Sequence, residues 1–102
     1  MTVVWTEESR RDLSEIHDYI SLDSPPSADR VLQQIIDLTQ RLKQFPESGR
    51  RVPEPPHTDL REVVVPPYRV IYAVQERTVV ILGVAHGRRD AQAFLARLRG
   101  EQ

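Results

Sequence analysis

The stretch Tyr68-Arg69-Val70-Ile71-Tyr72-Ala73-Val74-Gln75 decides the fold, because it alternates along its whole length. Tyr68, Val70, Tyr72 and Val74 make one apolar row, while Arg69, Ile71, Ala73 and Gln75 make a mixed one. This is the two-residue period of a strand with one face on a core. Leu60 to Val65 precedes it across Pro66-Pro67, and Thr78 to Ala85 follows it across Glu76-Arg77. Links this short require antiparallel neighbours. Three strands with one apolar face need a second layer to cover that face.

The covering layer lies upstream. After the short β-favouring run Thr2-Val3-Val4-Trp5, Thr6 stands where a helix N-cap would stand, with Glu7 and Glu8 in the first turn, where the helix dipole favours acids. Leu13, Ile16 and Ile20 then recur at helical spacing up to about Leu22, where Asp23-Ser24-Pro25-Pro26 stops one helix and starts another. The second helix runs from about Pro26 to Gln44 on a stripe of Ala28, Val31, Leu32, Ile35, Leu38, Thr39 and Leu42, with Ile36 off the stripe, and Phe45-Pro46 closes it. The tight link makes Thr6 to Gln44 an antiparallel helical hairpin. Its predicted core partners are Leu13, Ile16, Ile20, Leu32, Ile35, Leu42, Val70 and Tyr72, and Trp5 is expected to join them.

Residues 46–59 hold Pro46, Pro53, Pro55 and Pro56 with Gly49, which reads as a stiffened loop able to position side chains. Gly87 ends the last strand, and Ala91, Phe94, Leu95 and Leu98 recur at helical spacing up to Gly100, with Asp90 as the expected N-cap. The predicted fold is α+β in the order β-α-α-β-β-β-α. A single domain spanning 1–102 places a helical layer on one face of a small, mostly antiparallel sheet.

Composition narrows the function classes. With 39% hydrophobic and 28% charged residues the chain has the balance of an ordinary globular protein. No cysteine is present, which removes disulfides and thiolate metal sites. The longest apolar run, Val79 to Ala85, has seven residues, far short of the ~20 that cross a bilayer as a helix. No basic start followed by an apolar stretch opens the sequence, so a cytoplasmic protein without a membrane partner is expected. The four glycines are scattered, which excludes a phosphate-cradling loop, and His17, His57 and His86 show no metal-ligand spacing, so neither cofactor nor metal is expected.

The net charge of −1 hides an asymmetry. Residues 1–48 carry nine acids and five bases, and residues 49–102 carry six acids and nine bases, giving −4 and +3. Thirteen of the fourteen bases are arginine, whose forked donors suit carboxylate and phosphate. Two places concentrate them. Arg69 alternates away from Tyr72, together with Arg61 if the register brings the strands level, and two neighbouring arginines require an anion between them. That anion is a partner's carboxylate, a phosphate, or Glu54 or Glu62 of this chain. In Val84-Ala85-His86-Gly87-Arg88-Arg89-Asp90, a histidine and two arginines stand where a strand gives way to a loop, held by the scaffold yet open to solvent. They serve either binding or local pairing and capping.

Several stretches taken in order resemble the ParE/RelE toxin superfamily. They are Val4-Trp5-Thr6 with Asp12-Leu13, Phe45-Pro46 with Gly49-Arg50, Tyr68-Arg69-Val70-Ile71-Tyr72, and Val84 through Asp90. The resemblance implies the toxin of a type II toxin–antitoxin pair, causing growth arrest, neutralised by a cognate antitoxin and held with it in a hetero-oligomer. ParE-like members poison DNA gyrase by binding it, and the long hairpin and the Gly87-Arg88-Arg89-Asp90 segment resemble that branch. RelE-like members cut messenger RNA on the ribosome. On that alternative Glu54 of Pro53-Glu54-Pro55 would be the general base, Arg69 would hold the phosphate and His86 would be the general acid. The chain departs from the ribonuclease pattern in having Gly87 directly after the histidine and no tyrosine or tryptophan beyond it. It therefore lacks a stacking group worth ~1–3 kcal/mol. It is also slightly acidic, whereas binding in a ribosome favours a basic protein. The gyrase-binding reading follows, with Arg61, Arg69, His86, Arg88 and Arg89 as target- or antitoxin-binding residues. An inert antitoxin-binding module is the third reading.

Overall fold

Thr6 separates the first strand from the first helix by the capping chemistry its position predicts. In the computed structural model, which describes residues 1–98, its backbone is extended and its hydroxyl accepts a hydrogen bond from the Ser9 amide at 3.1 Å. Strand β1 (Thr2–Trp5) thus ends and helix α1 (Glu7–Ser21) begins. Ser24 repeats the device, accepting from the Ser27 amide, with Pro25 opening helix α2 (Pro25–Arg41), where its missing N–H leaves nothing unpaired. The helix ends fall within three residues of the expected ones.

The remaining elements are β2 (Arg50–Arg51), β3 (Arg61–Val65), β4 (Tyr68–Gln75), β5 (Thr78–His86) and α3 (Gly87–Leu98). They build one five-stranded sheet in the order β1-β5-β4-β3-β2, parallel only between β1 and β5. The two-residue β2 is an addition to the expected order. It lies in the proline loop and pairs with β3 through Arg50 opposite Glu62 and Arg51 opposite Arg61. The expected helix end at Gly100 lies outside the described residues.

A bulge sets the two faces of the sheet. Ile71 of β4 faces Gly83 and Tyr72 faces Ile81, so Leu82 has no partner on β4 and the alternation of β5 changes phase. Val79, Ile81 and Val84 consequently point to one face with Val70 and Tyr72, where Ile35 and Leu42 of the hairpin segment meet them. Leu13, Ile16 and Ile20 pack against this cluster only half-buried, as does Trp5, so Trp5 is not a fully buried core residue. Leu32 is also half-buried.

The hairpin layer covers one face as expected, and α3 covers the other. Ile71 and Ala85 face the opposite side, where Ala91, Phe94 and Leu95 of α3 form a second core with Val52 and Leu60 of the loop. Gly83 makes this possible, because a Cβ there would collide with the Phe94 ring. Helix α3 also starts three residues before the expected N-cap. Asp90 lies in its first turn, and Gly87, at φ 71°, makes the corner that only a residue without a side chain adopts cheaply. Among the described residues no helix is long and apolar enough to cross a membrane.

Candidate functional site

The second face of the sheet carries a cleft of about 590 Å³ between the proline loop and α3. Its charged lining consists of Arg50, Glu54, Arg69 and Arg88, with His57 and Gln92 beside them. Strand β4 supplies Arg69, whose position between Tyr68 and Val70 turns it away from the hairpin. Strand β3 supplies Glu62, opposite Ile71 and on the same face.

These side chains form one ionic network. Arg69 grips Glu54 with both terminal nitrogens, at 2.7 and 2.8 Å, and donates from Nε to Glu62 at 2.7 Å. The second Glu62 oxygen accepts from Nε of Arg50. Glu62 is only 1% exposed and Arg69 only 7%, so the pairing is buried and satisfied, and no buried side-chain polar atom among the described residues lacks a partner. The two hydrogen bonds from Arg69 hold the Glu54 carboxyl below the usual carboxylate range, against the opposing effect of its burial. The same bonds push the Arg69 guanidinium up. The anion that Arg69 requires is thus intramolecular.

The structure separates residues that a shared alternation brought together on paper. Arg61 stands opposite Tyr72 in the pairing of β3 with β4, so it shares the hairpin face and lies across the sheet from Arg69, not beside it. There it donates to the carbonyls of Glu47 and Gly49 at 3.1 and 2.9 Å. Its role is to tie down the loop entry. The Tyr72 hydroxyl works beside it, donating to the Pro46 carbonyl at 2.8 Å and accepting from the Gly49 amide at 3.0 Å.

His86 is the second separation. It stands opposite Tyr68, one position out of phase with Arg69, and its ring meets the Tyr68 ring edge-on at 5.3 Å on the hairpin side. It lines a different groove, between α1 and α3, while Glu54 and Arg69 line the cleft on the far side of the sheet. Arg88 and Arg89 are exposed in the first turn of α3, and Arg88 reaches the cleft while Arg89 lines neither groove.

Two contributors were not among the expected site residues. Arg50 is visible in sequence only as one arginine among thirteen, and its pairing with Glu62 depends on a two-residue strand. Asp12 reaches from α1 to accept the Val84 amide at 3.0 Å just past the bulge. Burial, reinforced by the charges of Glu8 and Glu15, pushes its carboxyl up despite that hydrogen bond. A third groove of about 480 Å³ lies between α1 and α2, lined by Trp5, Leu13, Leu32 and Ile36, with Arg10 and His17 at its edge.

Residues 3–91 match the model of a family described as the ParE toxin of the type II toxin–antitoxin system, parDE. Toxin RelE2 of Caulobacter vibrioides is 39% identical over 88 residues, covering 85% of this chain and 96% of the relative. Among solved structures, the chromosomal ParDE toxin–antitoxin system from P. aeruginosa superposes with a TM-score of 0.71 at 25% identity, over 86% of this chain and 97% of that one. The toxin–antitoxin complex RelBE2 from Mycobacterium tuberculosis gives 0.62 at 27% identity, over 83% and 95%.

Proposed function

Because this chain belongs to the ParE toxin family of type II toxin–antitoxin systems, we propose that it arrests growth by binding DNA gyrase in the cytoplasm and that a cognate antitoxin neutralises it in a hetero-oligomer. The observation that carries this reading is the placement of Glu54 and Arg69 on one face of the sheet and His86 on the other. Cleavage of RNA needs a base, a cation and an acid around one phosphate. Here two of these groups line one groove and the third lines another. Arg69 is moreover filled by two carboxylates, and Glu54, held below its ordinary range, is a weaker base than a free glutamate.

What the surface offers is recognition. Arg88 and Arg89 project from a rigid helix start, and the half-buried groove of Trp5, Leu13, Leu32 and Ile36 suits apolar anchors of an antitoxin helix. Of the arginines expected at the binding surface, Arg69 and Arg61 are engaged internally, which leaves Arg88 and Arg89 to meet acids of the antitoxin, and the outer nitrogens of Arg50 join them.

The test is induced expression in a bacterial host. Gyrase poisoning predicts growth arrest with a DNA-damage response and intact messenger RNA, and Arg88→Glu/Arg89→Glu should relieve it. Messenger RNA cut at the onset of arrest would make the chain a ribonuclease. Unimpeded growth at full expression would make it an inert antitoxin-binding module.

A further inference from the structure

The groove between α1 and α3 has a chemistry opposite to that of the arginine cleft. Its floor is apolar, made by Ile16, Tyr68, Val84 and Phe94, and Tyr19 stands at its lip with 74% of its surface exposed. Among the described residues its charged lining is three carboxylates, Asp12, Glu15 and Asp90, and one guanidinium, Arg97. Arg97 is itself engaged by Glu8 at 3.4 Å and lies over the Phe94 ring, so its single charge is shared with a further acid while it also acts on Asp12. No ion pair among the described residues engages Glu15 or Asp90. At about 570 Å³ the groove has room for several side chains.

The strand beneath it is also open. β1 covers β5 only as far as Ile81, and Asp12 takes the Val84 amide beyond that point. The alternation that aims the Val84 amide at Asp12 turns the His86 amide the same way, toward the groove.

From these features we infer that the α1–α3 groove seats a segment of the antitoxin carrying lysine or arginine beside an apolar anchor. The inference rests on the antitoxin reading above. An apolar side chain covers Tyr19, Tyr68 and Val84, while its cationic neighbour stands among Asp12, Glu15 and Asp90. Burial, reinforced by the charges of Glu8 and Glu15, pushes the Asp12 carboxyl up although the Val84 amide and Arg97 oppose the shift. The antitoxin is favoured over the target as occupant because the groove and the arginine cleft meet at one corner. His86 lines the first and Arg88 the second, two residues apart. A single chain that folds as it wraps around this corner reaches both, presenting bases to one side and acids to the other. The pairing of opposite charges in two neighbouring grooves also fixes its direction.

The test uses the full chain and its purified cognate antitoxin, with fluorescein-labelled overlapping peptides tiling the antitoxin as a second probe. Glu15 and Asp90 are exposed, so Glu15→Lys/Asp90→Lys should fold, and circular dichroism and thermal melting check this. The expected result is an affinity loss of about tenfold or more, for the antitoxin and for one basic, apolar peptide, with recovery when that segment's bases are changed to glutamate. Arg88→Glu should leave the basic peptide unaffected and weaken an acidic one. Unchanged antitoxin affinity in Glu15→Lys/Asp90→Lys overturns the proposal, as does a loss that no charge exchange recovers. If the parent chain forms no complex, the antitoxin reading falls first and takes this inference with it.

Discussion

The two faces of the sheet are closed by different means. On the hairpin face Ile35, Leu42, Val70, Tyr72, Val79 and Ile81 pack together, and the buried polar groups on the helices, Ser9 and Thr39, satisfy themselves on nearby helix or cap carbonyls. On the α3 face Ile71, Phe94 and Leu95 share their layer with Glu62 and Arg69, and Glu54 completes the network at its edge. The apolar face defines the fold by shape and buried area. The ionic face fixes a loop that has little apolar surface of its own, and so shapes the cleft beside Arg88. Removing one member of each face should therefore fail in different ways.

The largest effect is expected from Glu62→Ala, which leaves Arg69 and Arg50 short of a buried partner and should destabilise the fold by ~3–5 kcal/mol in chemical denaturation. A loss below ~1 kcal/mol would make the network incidental to the fold. Ile35→Ala, on the apolar face, should cost ~2–5 kcal/mol through lost burial and a cavity, with no added dependence on pH. Both variants damage stability, but only the first should also loosen the proline loop, seen as faster amide exchange around Val52 and His57.

The next contrast is titration. Because the Glu54 carboxyl is depressed in the fold, its contribution is present above its ordinary pKa and is lost as pH falls through the folded value. Stability measured from pH 6 downward should fall through and below the ordinary glutamate range, and Glu54→Gln should flatten that fall. Asp12 behaves in the opposite sense. Its carboxyl is raised, so ionising it weakens the fold as pH rises through the folded value, and Asp12→Asn, which keeps an acceptor for the Val84 amide, should leave neutral-pH stability unchanged or raise it by up to ~1 kcal/mol. A clear loss of melting temperature in Asp12→Asn would show that the charge itself is needed there.

What could be read from sequence divides along the same line. The hairpin face was legible because its signals are local: the Thr6 and Ser24 caps, the stripe through Ile35 and Leu42, and the alternation of Val70 and Tyr72 each lie within one element. The α3 face depends on relations between elements. The helix containing Phe94 was legible, but the face it covers is set by the bulge at Leu82, whose only cue is Gly83. The two-residue β2 has no periodicity to detect. Arg61 and Arg69 looked like neighbours because each alternates with apolar residues, and only the register, Arg61 opposite Tyr72, puts them on opposite faces. The bulge also governs His86: by shifting the phase of β5 it carries the imidazole to the side away from Glu54. The residues of both candidate mechanisms were readable, but their grouping was not.

That grouping makes the central claim testable in one comparison. Glu54→Gln/His86→Ala removes the two groups that a ribonuclease would use as base and acid, and leaves Arg88, Arg89 and the helical groove in place. Expressed at matched level and checked for folding, this variant should arrest growth and inhibit purified gyrase supercoiling as strongly as the parent chain. Loss of toxicity in the folded variant, with messenger RNA cut by the parent and left whole by the variant, would contradict the account.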